Sequence, residues 1–187
     1  QHDAWGVQDL GRGIWPYSNR WNWASASGHA TDGRLLGLQF GGKWTIGTGA
    51  TENALCIDGR LTKISDELEW TYDWANPMAP WRVRTPGSDQ VDATLTPSFD
   101  RYDVTDLKVL RMEVHQCFGT WAGRVVGDDG VPVSFEGVRG FAEEARNKWR
   151  TISRTEYDDD RSMGPRPGHH HRRWHGARHL VPRTGPG

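Results

Sequence analysis

Eight short runs, each rich in β-branched or aromatic residues and bounded by turn formers, constrain this chain more than any other feature. They are "RLLGLQF" (34–40), "ENALCID" (52–58), "LEWTYD" (68–73), "WRVRT" (81–85), "VDATLTP" (91–97), "KVLRMEVHQCF" (108–118), "GRVVG" (123–127) and "VPVSFEG" (131–137). Runs of this length and composition read as strands. Asp58-Gly59 and Asp129-Gly130 supply positive φ cheaply and are strong hairpin signals. Many short strands on tight turns point to a sandwich or an up-and-down barrel, whose alternate positions face an interior. One helix is expected, over "GVRGFAEEARNKW", near 138–149. There Phe141, Ala145 and Trp149 recur at i, i+4 and i+8.

The chain of 187 residues is long enough for one domain with a core of its own. With 35% hydrophobic residues and 11 tryptophans, Trp rather than Leu or Ile supplies much of the buried area. No window approaches 18 uninterrupted apolar residues, so no membrane span is expected. Gln1 stands where a start Met would, which leaves a leader peptide open. Cys56 and Cys117 match no zinc or redox spacing and read as reduced thiols of a cytoplasmic core.

Charge divides the chain. Residues 1–160 hold all 24 acids and 17 of the 23 basic residues, and residues 161–187 hold six arginines and no acid, so a body of -7 carries a tail of +6. An acidic body argues against nucleic acid as its partner. The domain is expected over 1–155, followed by a disordered tail over 156–187. Arg, His, Gly and Pro fill 20 of positions 161–187, too little apolar surface to offset chain entropy. The three histidines at 169–171, with His175 and His179, mark adventitious rather than dedicated metal binding, and no cofactor is expected.

Four stretches could carry chemistry. In "RWNW" (20–23), alternation puts Arg20 and Asn22 on one face and Trp21 and Trp23 on the other. The polar face lines an interior while the rings pack outside, or the reverse; Tyr17 lies just upstream. In "LRMEVHQCF" (110–118), Arg111, Glu113, His115 and Cys117 share one face, a dense row in which Glu113 and His115 could act as acid and base or one orient the other, unless the row simply faces solvent. In "HDAWGVQD" (2–9), Asp3 beside Trp5 suits a proton donor, because a ring wall raises a carboxyl's pKa. An Asx turn explains Asp3 equally well. "GTGATENALCIDG" (47–59) is neither a phosphate loop nor a serine elbow.

"HDAWGVQDLGRGIWPYSNRWNWASASG", "LGLQFGGKWTIGTGATENALCIDGRLTKIS", "PWRVRTP", "EVHQCFG" and "FAEEARNKW" together resemble the C-terminal half of the domain-of-unknown-function family numbered 2804, of bacteria and some fungi, over roughly residues 1–149. That resemblance implies a missing N-terminal half as a partner. It also implies a distant likeness to carotenoid 1,2-hydratases and lipocalin-like, calycin-type barrels that enclose an apolar cavity. Asp3 and Trp5, in "D-A-W-G", match a motif of that group.

The expected architecture is therefore all-β, an antiparallel lipocalin-like barrel or strongly curved sheet. The expected function is binding of a hydrophobic, lipid- or isoprenoid-like small molecule, with hydratase-like acid chemistry open to it. Asp3, Glu113 and His115 are the candidate catalytic groups. Trp5, Tyr17, Arg20, Trp21, Asn22, Trp23 and Arg111 are the candidate ligand contacts, because an aromatic wall stabilises a developing cation. The rival readings are a carbohydrate-binding or glycoside-hydrolysing domain using Trp plus carboxylates, and a structural or interaction module without catalysis.

Overall fold

The computed structural model describes residues 6–10, 16–107 and 110–149, the last of these, Trp149, by its backbone alone. Among them the chain forms nine strands and no helix. The strands are β1 (Ser18–His29), β2 (Leu35–Gly42), β3 (Ala54–Ile57), β4 (Arg60–Lys63), β5 (Glu69–Thr71), β6 (Trp81–Arg84), β7 (Val91–Leu107), β8 (Leu110–Val126) and β9 (Pro132–Trp149). All pair antiparallel in one sheet of order β4-β3-β2-β1-β9-β8-β7-β6-β5. Two meanders, β1–β4 and β5–β8, are thus joined by β9, which lies between β1 and β8. Asp58 (φ 49°) and Gly59 (φ 79°) make the predicted β3–β4 turn, the left-handed pair that a tight hairpin needs.

The sheet curls into a half-barrel around an apolar core. Leu36, Leu38 and Phe40 from β2 meet Trp81 and Val83 from β6, Val91, Ala93 and Leu95 from β7, and Trp121 and Val125 from β8. Phe40 and Trp121 touch edge to face, with centroids 5.9 Å apart. Fully burying a side chain of this kind contributes about 1.5–3 kcal/mol. Beside β2, the Trp70 indole donates to the Gly41 carbonyl at 3.4 Å.

Residues 138–149 correct the expectation of a helix: they are the second half of β9. A spacing of four is even, so Phe141 and Ala145 share a face in a strand as they would in a helix. The backbone of β9 finds partners on both sides, in β1 and β8. That two-sided ladder overrides the local helix propensity of "AEEA".

Two bulges decide which side chains face the interior at the far end of the sheet. One extra residue, Ser98, interrupts β7 between Pro97 and Phe99. Before it the inward set is odd (Val91, Ala93, Leu95); after it, Asp100, Tyr102 and Val104 pair with Cys117, His115 and Glu113. Pro97 fits such a break because it has no N–H for the ladder. A second bulge in β9, opposite Trp121 and Gly123 of β8, contains Gly137 at φ 71°. It shifts the inward set from Val133 and Phe135 to Val138, Ala142 and Glu144. Just beyond it β1 crowds β9 closely: a Cβ on Gly140 would lie 2.2 Å from the Ser25 carbonyl oxygen.

Candidate functional site

The concave face is apolar along the first half of β7 and the second half of β8, which lie side by side, and polar along the second half of β7 and the first half of β8. Down β8, Arg111, Glu113 and His115 point inward, their side chains 50%, 23% and 13% exposed, and Cys117 below them is buried. The predicted row therefore runs from an open rim into the interior. Register places Asn22 of β1, Glu144 of β9, His115 of β8 and Tyr102 of β7 on one line across the sheet. The next line toward the rim holds Arg20, Arg146, Glu113 and Val104.

Glu144 is the hub of this end. It is 1% exposed, and its carboxylate accepts hydrogen bonds from Arg20 Nε and Nη2 (3.0 and 2.6 Å), Arg146 Nε (2.7 Å) and the Tyr72 hydroxyl. Lys43 Nζ stands 3.3 Å from its second oxygen. Burial would push its pKa up, but the donors from Arg146, Tyr72 and Arg20 and the charge of Lys43 outweigh it and hold the group at about 2. Tyr72 is pushed far the other way by burial and by its bond to Glu144, so its phenol stays protonated. The Tyr72 ring stacks flat on Trp81 at 4.0 Å, and its oxygen accepts from Asn22 Nδ2 at 3.1 Å and Lys43 Nζ at 2.5 Å. Burial lowers the Lys43 pKa, and Glu144 works against that.

Beside this hub lies a histidine dyad. His115 Nδ1 is 2.7 Å from Asp100 Oδ2, a partner that fixes the ring's tautomer and orientation. Tyr102 stacks on the imidazole at 4.6 Å and Trp74 meets it edge-on at 4.4 Å. Trp74 also covers Arg146, its ring centroid 3.5 Å from the guanidinium carbon. Glu113 accepts from the Tyr102 hydroxyl at 3.0 Å and pairs with Arg111 at 3.5 Å. Cys117 packs under the dyad; burial and then Asp100 push its thiol up to about 12, so it is neutral and no nucleophile. Both cysteines are free thiols.

The outer face of the same strands is different in kind. Glu143, next to Glu144 on β9, points outward and is 8% exposed. It accepts from the Trp21 indole at 3.2 Å and the Gln116 amide at 2.8 Å, both neutral donors. Burial raises its pKa, and those two hydrogen bonds offset it only in part. Around it runs an aromatic row: Trp23 meets Phe141 at 4.7 Å, Phe141 meets Phe118 at 5.7 Å, and Phe118 meets Phe99 at 6.5 Å. A shallow polar hollow lined by Arg82, Asp92, Thr94 and Arg124 lies apart from all these groups.

The structure thus brings Arg20, Asn22, Arg111, Glu113 and His115 together on the concave side. It puts Trp21 and Trp23 on the opposite side, as alternation along β1 requires. Tyr17 is half-exposed just before β1. Asp3, Trp5 and the tail lie outside the described residues. Sequence reasoning missed Lys43, Tyr72, Trp74, Asp100, Glu143 and Glu144. Pro97 and Gly137 were the available signals for the bulges that turn Asp100 and Glu144 inward; nothing local marks Tyr72 and Trp74, which reach the site by the long route from β5 to β6.

Among the described residues, no cluster of three His, Cys, Asp or Glu side chains could hold a metal ion, and no helix is long and apolar enough to cross a membrane. The fold and site define a curled antiparallel half-barrel with one polar, ring-lined end. Residues 1–149 match the family model described as Domain of unknown function (DUF2804), and the chain belongs to that family. No curated protein and no solved structure matches it.

Proposed function

We propose that this half-barrel binds a hydrophobic, lipid- or isoprenoid-like small molecule at the polar end of its concave face, with acid–base chemistry within reach of the bound molecule. The carrying observation is the Asp100–His115 dyad, clamped between Tyr102 and Trp74. One ring nitrogen is held by a carboxylate, and Nε2 bonds no other described residue, the arrangement a proton-transferring imidazole needs. Tyr102 and Val104, on the same face, remain 50% and 45% exposed and offer apolar area to a ligand. In this reading His115 moves the proton and Glu113, held by Tyr102 and Arg111, assists it. Asp3 and Trp5 enter from the resemblance alone, as acid and wall; Trp21 and Trp23 brace the sheet from behind.

The test is quenching of Trp fluorescence by retinol, an isoprenoid alcohol, in the full chain. Saturable quenching is expected, weakened at least fivefold in Tyr102→Ser and unchanged in Arg82→Gln on the outer face. No saturation with retinol, but binding of a xylohexaose control, would transfer the site to the carbohydrate reading, which Trp74 against His115, with Glu113 on the same face, also suits.

A further inference from the structure

We infer that Arg20, Lys43 and Arg146 form a binding site for an oxyanion, the carboxylate or phosphate group of a small molecule, at the polar end of the concave face. The inference deepens the reading above by giving the ligand an anionic head, and it rests on that reading only for the apolar remainder.

Three cations converge on one carboxylate. Glu144 is saturated: one oxygen accepts from Arg20 Nε, Arg20 Nη2 and Arg146 Nε, and the other accepts from Tyr72 and forms an ion pair with Lys43. An arginine side chain carries five N–H donors in a planar fork. Among the described residues, Arg146 uses only Nε and Arg20 leaves Nη1 without an acceptor. The terminal nitrogens of Arg146 therefore have no acceptor among the described residues.

These side chains are not buried with their hub: Arg20 is 51% exposed, Lys43 and Arg146 33% each. The nearby acids are already engaged. Glu113, across from Arg146 in register, serves Tyr102 and Arg111, and Asp100 serves His115. The surplus is therefore positive, and the cations repel one another: Arg20 and Arg146 each disfavour the charged form of Lys43. An incoming oxyanion would relieve that repulsion and take the unused donors.

The donors are also preorganised. Trp74 lies against the Arg146 guanidinium, the buried carboxylate fixes both guanidinium groups, and Tyr72, stacked on Trp81, fixes Lys43. Lys43 itself sits at φ 65°, a left-handed conformation that a non-glycine residue adopts at a cost, and such strain gathers at ligand clamps. Fixed forks of this type suit carboxylate and phosphate, whose oxygens match them in pairs.

The experiment is calorimetric titration of the full chain with inorganic phosphate, octyl phosphate and octanol. Wild type is compared with Arg146→Gln, Lys43→Gln and Arg82→Gln, and circular dichroism checks each fold. The expected result is octyl phosphate bound at least tenfold more tightly than octanol, with tenfold or greater loss in Arg146→Gln and Lys43→Gln, none in Arg82→Gln, and weakening with added salt. Inorganic phosphate binding as tightly as octyl phosphate, with the same variant losses, would keep the anion site and remove the hydrophobic ligand. Octanol binding as tightly as octyl phosphate, indifferent to both variants, would overturn the anion site and keep the hydrophobic one. No binding of either phosphate overturns the inference. If Arg146→Gln fails to fold, Lys43→Gln, which removes a side chain past the end of β2, decides alone.

Discussion

Glu143 and Glu144 are neighbours on one strand, both almost fully buried, yet the two faces of β9 treat them in opposite ways. Glu144 meets two guanidinium groups, an ammonium and a phenol, and stays ionised down to about pH 2. Glu143 meets an indole and an amide, and burial makes it easier to protonate. Burial is the same force on both sides; what differs is whether charge is available to answer it. Cations surround the carboxylate on the concave side, whereas neutral donors and rings surround it on the outer side.

The largest effect that would sharpen this contrast is expected from Glu144→Gln. Removing one partner of a buried ion cluster leaves cations uncompensated and costs about 3 kcal/mol. The sign with pH follows from a depressed carboxylate: its stabilisation is complete above its ordinary value of 4.5 and is lost as pH falls toward about 2. Urea unfolding at pH 7 and pH 2.5 should show the acid-induced loss in wild type and much less of it in the variant.

Gly140→Ala would disturb both faces together, because its methyl would strike the Ser25 carbonyl and separate β9 from β1. Overpacking of this kind costs about 1–3 kcal/mol. Both glutamates should then titrate closer to their ordinary value. Trp74→Ala acts on one face only. It uncovers Arg146 and frees one side of His115, with an expected loss of about 1 kcal/mol in chemical unfolding and no change in the titration of Glu143.

The smallest effect has the opposite sign. The raised pKa of Glu143 means that its ionised form weakens the fold at neutral pH, a deficit that disappears as pH falls below 4.5. Glu143→Gln keeps an acceptor for Trp21 and should gain about 0.5 kcal/mol at pH 7 and nothing at pH 4. Thermal melts at the two pH values check it.

Strand alternation made half of this site legible in advance. It paired Arg20 with Asn22 and lined up Arg111, Glu113, His115 and Cys117, and the curved sheet turned both sets inward. The same periodicity misled at 138–149, where a repeat of four satisfies a strand and a helix alike. It also hid Glu144 and Asp100, because a single added residue at Ser98 or in the Gly137 bulge reverses every later side chain. Tyr72 and Trp74 were beyond local pattern altogether. The place of Tyr72 against Asn22, Lys43 and Glu144, and of Trp74 over His115 and Arg146, follows from the curl that carries the β5–β6 end of the sheet across toward β1 and β2.

Carbon-13 NMR of the glutamate side-chain carboxyls, assigned through Glu143→Gln and Glu144→Gln, tests the contrast most directly. Titrated from pH 8 to pH 2, one resonance should change above pH 4.5 and belong to Glu143, and one should hold its carboxylate shift until about pH 2 and belong to Glu144. If both titrate together near 4.5, the two faces of β9 are not electrostatically distinct, and the cation cluster has no buried carboxylate to hold it in place.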